Sequence, residues 1–323
     1  MPAEFWKSRP VFVTGSDGIV GSWIIKDLLA RKSKVVALVR DHNPRSELFL
    51  SQDIKRITVI DGRLQDLPLL SSTLKRYKID TVFHLGAQAI VGEALRKPLE
   101  TFESNIRGTA HVLEACRGQK SVQRIVVASS DKAYGAHKDL PYTENMPLQG
   151  KFPYEVSKSC ADLLAQSYAH SYALPVAIVR CGNIFGGGDL NASRIVPATI
   201  ASLLKGTPPL IRSDGKYVRD YIYVKDVCAA YLQVAESLVS KKLSGEAFNC
   251  SNEQPLSVLA LVKHIAHAMG VRVLKPKILN QAKGEIRAQF LSAAKIRRVL
   301  KWRPQYTLAQ GLIETIAWYR AHS

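Results

Sequence analysis

Six short apolar runs, at residues 11–14, 34–39, 57–60, 81–85, 124–129 and 176–180, constrain this chain more than any other feature. Runs such as VVALV and RIVVAS show no polar alternation, so a strand made of them can turn neither face to water. Residues 18–31, 100–117 and 154–172 lie between or after these runs and carry apolar side chains at helical spacing. The alternation predicts an α/β fold, a doubly wound parallel sheet with crossover helices on both faces. There is no internal repeat, low-complexity tract or long linker, so a second unit must be built from later segments of the same chain. The expected division is residues 1–180 plus about 219–244 for the sheet unit, with a smaller α/β C-terminal unit from about 181–218 and 245–323.

Composition narrows the class. With 323 residues, 46% of them hydrophobic and 22% charged, the chain can bury a large core, which excludes a disordered or fibrous protein. No apolar run approaches the length of a membrane span, and MPAEFWKSRPVFVTG lacks the layout of a signal peptide, so a soluble, cytoplasmic chain with no membrane partner is expected. Cys116, Cys160, Cys181, Cys228 and Cys250 lie far apart, without CxxC or His/Cys spacing; they read as buried thiols, and no metal site is expected. The net charge of +18 is concentrated late in the chain, at Lys275, Lys277, Lys283, Arg287, Lys295, Arg297, Arg298, Lys301 and Arg303. Those charges alternate with Leu, Ile and Ala and lack interleaved stacking aromatics, which fits a solvated helical face and anion-facing side chains and predicts no nucleic-acid partner.

The segment VFVTGSDGIVGSWIIKDLL places Gly15, Gly18 and Gly21 between a strand and the start of a helix. In that context Gly15 permits a tight turn, Gly18 lets backbone amides approach a pyrophosphate, and Gly21 allows close helix packing with the helix N-terminus facing the anion. The next strand ends in Val39-Arg40-Asp41. Asp41 suits the ribose hydroxyls of NAD, whereas Arg40 suits the 2′-phosphate of NADP or stacking on adenine, so NAD and NADP both stay open, with a lean to NAD.

PYEVSKSC puts Tyr154 and Lys158 one helical turn apart, and the preceding strand ends in Ser129-Ser130-Asp131-Lys132. Here the chain resembles the extended short-chain dehydrogenase/reductase family, the NAD-dependent epimerases and dehydratases, over essentially its whole length. The motifs in order are TGSDGIVG, HLGAQ, NIRGT, SSDKAYG, YEVSK, RCGNIFGGGD, RDYIYVKDV and the terminal LSAAK…LKWRP…TIAWY. The resemblance implies a Rossmann-type fold with a nucleotide-sugar substrate. It makes Tyr154 the base, with its phenolate favoured by Lys158, and Ser130 the donor to the developing oxyanion. Cofactor contacts would come from Gly15, Gly18, Ile19, Val20, Gly21, Arg40, Asp41, Leu85, Ala87, Tyr154 and Lys158.

The family name does not fix the reaction, because its members include epimerases, dehydratases and reductases. Asp131-Lys132 resembles the SDK motif of CDP-glucose 4,6-dehydratases, and Trp6, Ser22-Trp23, PLETFESN and GNIFGGGD extend that likeness. An acid and a base are what elimination requires. Lys132 would take the C5 proton as a neutral amine, and Asp131 would protonate the departing C6 hydroxyl, yielding a 4-keto-6-deoxy sugar. Both groups then need displaced pKa values, which a desolvated pocket can supply. A 4-epimerase on the same scaffold is the alternative. Two features depart from the CDP-glucose subgroup and bear on the CDP sugar more than on dehydration: RDYIYVKDV is the generic form found in epimerases and other dehydratases, and Arg63 stands where family members commonly place an Asp near the adenine.

For the substrate, the resemblance assigns Asn183, Arg194 and Arg219 to the nucleotide diphosphate and ribose, and Gln88 to the sugar side. It also has Gly186–Gly188 admit a bulky ligand and pairs two copies of the chain, as a homodimer, through helices at 100–117 and 154–172. His84 is expected to be a hydrogen-bonded core residue.

Overall fold

The structure, a computed structural model, describes residues 2–272, 274–281 and 286–322; Lys283 of the basic C-terminal group lies outside them. Seven strands form one parallel sheet: β1 Pro10–Thr14, β2 Lys34–Val39, β3 Thr58–Asp61, β4 Thr81–His84, β5 Arg124–Ser130, β6 Val176–Cys181 and, much later in the chain, β10 Ala247–Cys250. Their order is β10-β6-β5-β4-β1-β2-β3, which reverses direction between β1 and β4. This is the doubly wound arrangement, and its crevice opens at the C-terminal ends of β1 and β4. The six apolar runs coincide with six of these strands to within one residue at most ends.

Alternate residues of one strand go to opposite faces. Val11 and Val13 pack with Ile24, Ile25 and Leu28 of the helix Ile19–Ala30, while Phe12 packs with Leu70, Leu74 and Val112 on the other side. Both faces are therefore dry, which is why these strands show no polar alternation. The first cluster continues without a break through Phe185, Ile200, Ile222, Leu261, Ile265 and Leu312, so the later segments share the sheet's core.

Those segments contribute β7 Asn183–Phe185, β8 Leu210–Ile211, β9 Val218–Tyr223, β11 Pro255–Ser257, β12 Lys277–Ile278 and β13 Ala288–Gln289. β9 pairs with β7 and β13 in parallel and with β11 antiparallel, and β8 pairs with β12. Strand membership crosses the boundaries expected from sequence: β9 lies in the smaller sheet, and β10, assigned to the C-terminal unit, is the seventh strand of the large one. AFNC is too short to show a period. The helix Val224–Ser237 packs on β5 and β6 and returns the chain so that β10 can pair parallel to β6.

The helix expected over 100–117 is interrupted. Pro98–Phe102 and Gly108–Arg117 are joined by a π turn, Glu103–Arg107, that points Asn105 inward. Asn105 Nδ2 donates to Ser157 Oγ at 2.9 Å and to Gln88 O at 3.0 Å, and its Oδ1 accepts from Gln88 N at 2.7 Å. The loop after β4 is thus tied to the helix Pro153–Tyr172. That helix is anchored to β6 by a bidentate pair, Arg180 to Asp162 with both bonds at 2.8 Å, in a fully dry setting.

Candidate active site

The glycine turn closes on the loop after β4. Gly15 has φ +67°, and a Cβ there would stand 2.7 Å from Gly86 N and Leu85 C; a Cβ on Gly21 would stand 2.1 Å from Gly15 O. Gly18 is different, because its Cβ would approach only Gly15 O, at 3.2 Å. Among the described residues nothing else lies within 4 Å on that side of the turn. Ile19, Val20 and Gly21 form the first helical turn, whose amides an α-helix cannot pair internally, so they are suited to donate to a pyrophosphate. Leu85 N donates to Thr14 O, which lays Leu85 and Ala87 along the same crevice. These residues fit a dinucleotide.

At the end of β2, Arg40 Nε donates to Asp41 Oδ2 at 2.5 Å, both side chains being exposed. His42 pairs with Asp61 beside them. His84 is a core residue as expected: Thr14 Oγ1 lies 2.8 Å from Nδ1, Thr109 Oγ1 lies 2.9 Å from Nε2, and burial lowers the ring's pKa to about 3. Among the described residues no group of His, Cys, Asp or Glu is arranged to hold a metal.

Tyr154 and Lys158 lie in the first two turns of Pro153–Tyr172, and both are buried against the end of β5. Burial dominates the electrostatics of both groups. Burial, reinforced by Asp131, pushes the Tyr154 hydroxyl up to about 12, and the groups pulling the other way are Arg194 and a hydrogen bond with Ser130. Lys158 instead donates to Ala128 O at 2.9 Å, and burial brings its ammonium down to about 8 despite the nearby Asp162. The cationic influence on the phenol comes from Arg194, a residue that sequence reasoning gave to the substrate.

Ser130 ends β5 and caps the short 3₁₀ turn Asp131–Tyr134. Its Oγ donates to Asp131 Oδ1 at 3.0 Å and accepts from Lys132 N at 3.2 Å. Asp131 is 3% exposed, and its Oδ2 meets no hydrogen-bond partner among the described residues. Burial raises its pKa against the pull of Lys132 and the Ser130 hydrogen bond. Lys132 Nζ donates to Gln289 Oε1, and Gln289 Nε2 donates back to Asp131 O at 2.9 Å. Gln289, wholly buried on β13, was not foreseen, and nothing in its local sequence marks it.

Of the residues assigned to substrate, Arg219 lies on β9 opposite Gln289 and acts electrostatically on Asp131. Arg194 pairs with Asp189 at 3.2 Å while also reaching the field of Tyr154. Asn183 Nδ2 is buried without a hydrogen-bond partner among the described residues, a donor left for something else. Gln88, given to the sugar side, bonds both N and O of Ile90 with its side chain and so shapes its own loop. The triple glycine also needs correction. Cβ atoms on Gly186 and Gly187 would lie 2.4 Å from Val224 Cγ1 and Trp318 Cγ, and one on Gly188 3.0 Å from Glu47 Cβ, so protein packing rather than ligand occupies that space.

Comparison with known proteins agrees with this geometry. Residues 11–251 match the model of the NAD dependent epimerase/dehydratase family. The chain is 28% identical over 337 residues to a CDP-glucose 4,6-dehydratase of Salmonella typhimurium, covering 98% of this chain and 92% of that protein. Among solved structures, a dTDP-glucose 4,6-dehydratase of Streptomyces venezuelae with NAD bound superposes with TM-score 0.88 at 28% identity, covering 97% of each chain. A UDP-glucose 4-epimerase of Thermotoga maritima does so with TM-score 0.88 at 25% identity, covering 97% of this chain and 99% of that one. The sheet order, the open glycine turn and a family match over most of the chain lead to one conclusion: the chain belongs to the NAD dependent epimerase/dehydratase family and is an enzyme of that NAD-using group.

Proposed function

We propose that the protein is a sugar-nucleotide 4,6-dehydratase that converts a CDP-glucose-like NDP-hexose to the NDP-4-keto-6-deoxyhexose. The observation that carries the reading is Asp131: a buried carboxyl held toward its neutral form, with one oxygen lacking a hydrogen-bond partner among the described residues, directly after the serine that faces Tyr154. A pure epimerase has no use for a neutral acid there.

When bound, NAD supplies the hydride acceptor for C4, the donor for C6, and a positive ring that favours the Tyr154 phenolate. Glycines 15, 18 and 21 and the first-turn amides hold its pyrophosphate, and Asp41 or Arg40 its adenosine end. Tyr154 takes the C4 hydroxyl proton while Ser130 donates to the oxygen that becomes the ketone. The ketone acidifies C5–H, and Lys132 as an amine removes that proton. The released pair forms the C5–C6 double bond, the C6–O bond breaks, and Asp131 protonates the oxygen, which leaves as water. Lys132 returns its proton to C5 when C6 is reduced. Each turnover leaves Tyr154 one proton richer and Asp131 one poorer, and Ser130, hydrogen-bonded to both, is the route by which that proton returns.

The remaining assignments belong to this reading. Residues 1–180 serve the dinucleotide, with about 219–244 completing that unit, and the sugar nucleotide is held by Asn183, Arg194 and, where the chain returns, Arg219. Five unbridged thiols suit a reducing cytoplasm. No described helix is long and apolar enough to cross a membrane. The mutually packed helices Val91–Arg96, Pro98–Phe102 and Pro153–Tyr172 expose Leu95, Leu99 and Leu163, a surface suited to a homodimer that sedimentation would reveal.

The test is to incubate the protein with CDP-, UDP-, GDP- and dTDP-hexoses without added reductant and follow products by mass spectrometry. Loss of one water from one of them supports the reading. An isomer of unchanged mass moves the assignment to 4-epimerase, the second reading, which the likeness to the Thermotoga maritima enzyme favours.

A further inference from the structure

We propose that Gln289 is a positioning residue for elimination, orienting the Lys132 amine toward the sugar and fixing the turn that carries Asp131. The inference rests on the dehydratase reading. Its basis is geometric: one amide group, wholly buried on β13, accepts from Lys132 Nζ through Oε1 and donates to the Asp131 carbonyl through Nε2. The two bonds use both ends of the amide, so the side chain cannot turn over without breaking both.

The chemistry explains why the group is an amide. A lysine that serves as a base must be neutral when it acts, with its lone pair aimed at C5–H. A carbonyl oxygen accepts an N–H from either the amine or the ammonium, so it directs the nitrogen in both states without a charge that would hold the proton in place. A carboxylate there would favour the ammonium, and an apolar side chain would take this acceptor away from the amine. Among the described residues, the charged and titratable groups around this turn include Asp131 itself, Arg219 on β9, Tyr154 on Pro153–Tyr172, and Tyr142, which feels Asp131 and Arg219. Gln289 adds no charge of its own to them.

The test uses the holoenzyme with CDP-glucose, and with UDP-, GDP- and dTDP-glucose if that sugar is inert, comparing wild type, Gln289→Met and Gln289→Glu. Product is followed by mass spectrometry and reduced cofactor by its absorbance. Gln289→Met is expected to lose about tenfold in product formation at little cost in KM, because a misaimed amine affects only elimination. Oxidation at C4 continues, so reduced cofactor builds up during turnover. The near-isosteric Gln289→Glu guards against a folding failure. It should fall about tenfold, with its pH profile displaced toward higher pH, because a carboxylate beside Lys132 favours the ammonium over the amine.

Wild-type partition between oxidation and elimination in Gln289→Met, or a wild-type pH profile in Gln289→Glu, overturns the role of Gln289 and leaves the dehydratase reading intact. Absence of water loss by the wild-type enzyme on all four sugars overturns that reading, and this inference with it.

Discussion

The glycine turn and the Asp131–Lys132 turn stand at the ends of neighbouring parts of one sheet, yet they are built in opposite ways. The first is local: strand, turn and helix lie within residues 10–30, and the close approach of Gly21 to Gly15 O is fixed inside that stretch. The second is assembled from a distance, since Lys132 and Asp131 meet Gln289 across 157 and 158 residues of sequence. Cofactor binding, common to the family, is encoded where spacing can carry it. The choice of reaction sits where tertiary contacts set the chemistry.

If that division is right, the largest effect comes from removing the acid while leaving the cofactor half alone. Asp131→Asn should lower water loss by about a thousandfold, within the range of general acid catalysis, with NAD affinity unchanged by calorimetry. Lys132→Met should behave alike. A comparable loss of NAD affinity in either variant would show that the two regions are not separable.

The next effect tests the scaffold that both regions share. Asp162→Ala leaves Arg180 charged and dry, and breaking such a pair should cost about 3 kcal/mol in urea unfolding. Lys158 also loses the carboxylate that supports its charge. Retained stability would mean that Tyr134 and the Glu144 carbonyl, which Arg180 also contacts, suffice as partners. Smaller again, Gly21→Ala must push its methyl against Gly15 O and should destabilise by about 2 kcal/mol, with weakened NAD binding. Gly18→Ala, whose methyl meets only Gly15 O among the described residues and at 3.2 Å, should cost the fold less than Gly21→Ala and act chiefly on NAD affinity.

This contrast also explains what was legible in the sequence. Strands buried on both faces leave continuous apolar runs, so six of the seven strands of the large sheet were readable, whereas β10 is four residues long and joins only because a helix carries it back. Ser130, Asp131, Tyr154 and Lys158 converge because a strand end and a helix start are both marked by motif. Gln289 was invisible, since a buried amide in a two-residue strand has no periodicity and no motif. Arg194 was visible as a cation, but its influence on Tyr154 depends on where its helix begins, which residue type cannot specify. The triple glycine misled for a related reason: glycine marks a close approach, and only the structure says that the approaching group is Trp318 or Val224.

The smallest effect runs opposite to the largest, in the same variant. Burial raises the Asp131 pKa, so the folded protein favours the neutral carboxyl more than the unfolded chain does. Stability associated with this group is therefore fully present below the ordinary carboxylate range, and it is lost as pH climbs from that range through the raised native value. Asparagine has the same shape and no proton to lose. Asp131→Asn should thus match wild type in Tm at acidic pH below about 4, exceed it increasingly as pH rises, and settle about 2 °C higher at neutral pH. A residue kept for catalysis at a cost in stability must show this sign, because the desolvation that makes Asp131 an acid also makes its anion unwelcome in the fold. An Asp131→Asn protein that is less stable than wild type at neutral pH would mean that the ionised carboxylate is a favourable part of the native structure, held by Lys132 and Arg219, and the assignment of Asp131 as the acid would fall with it.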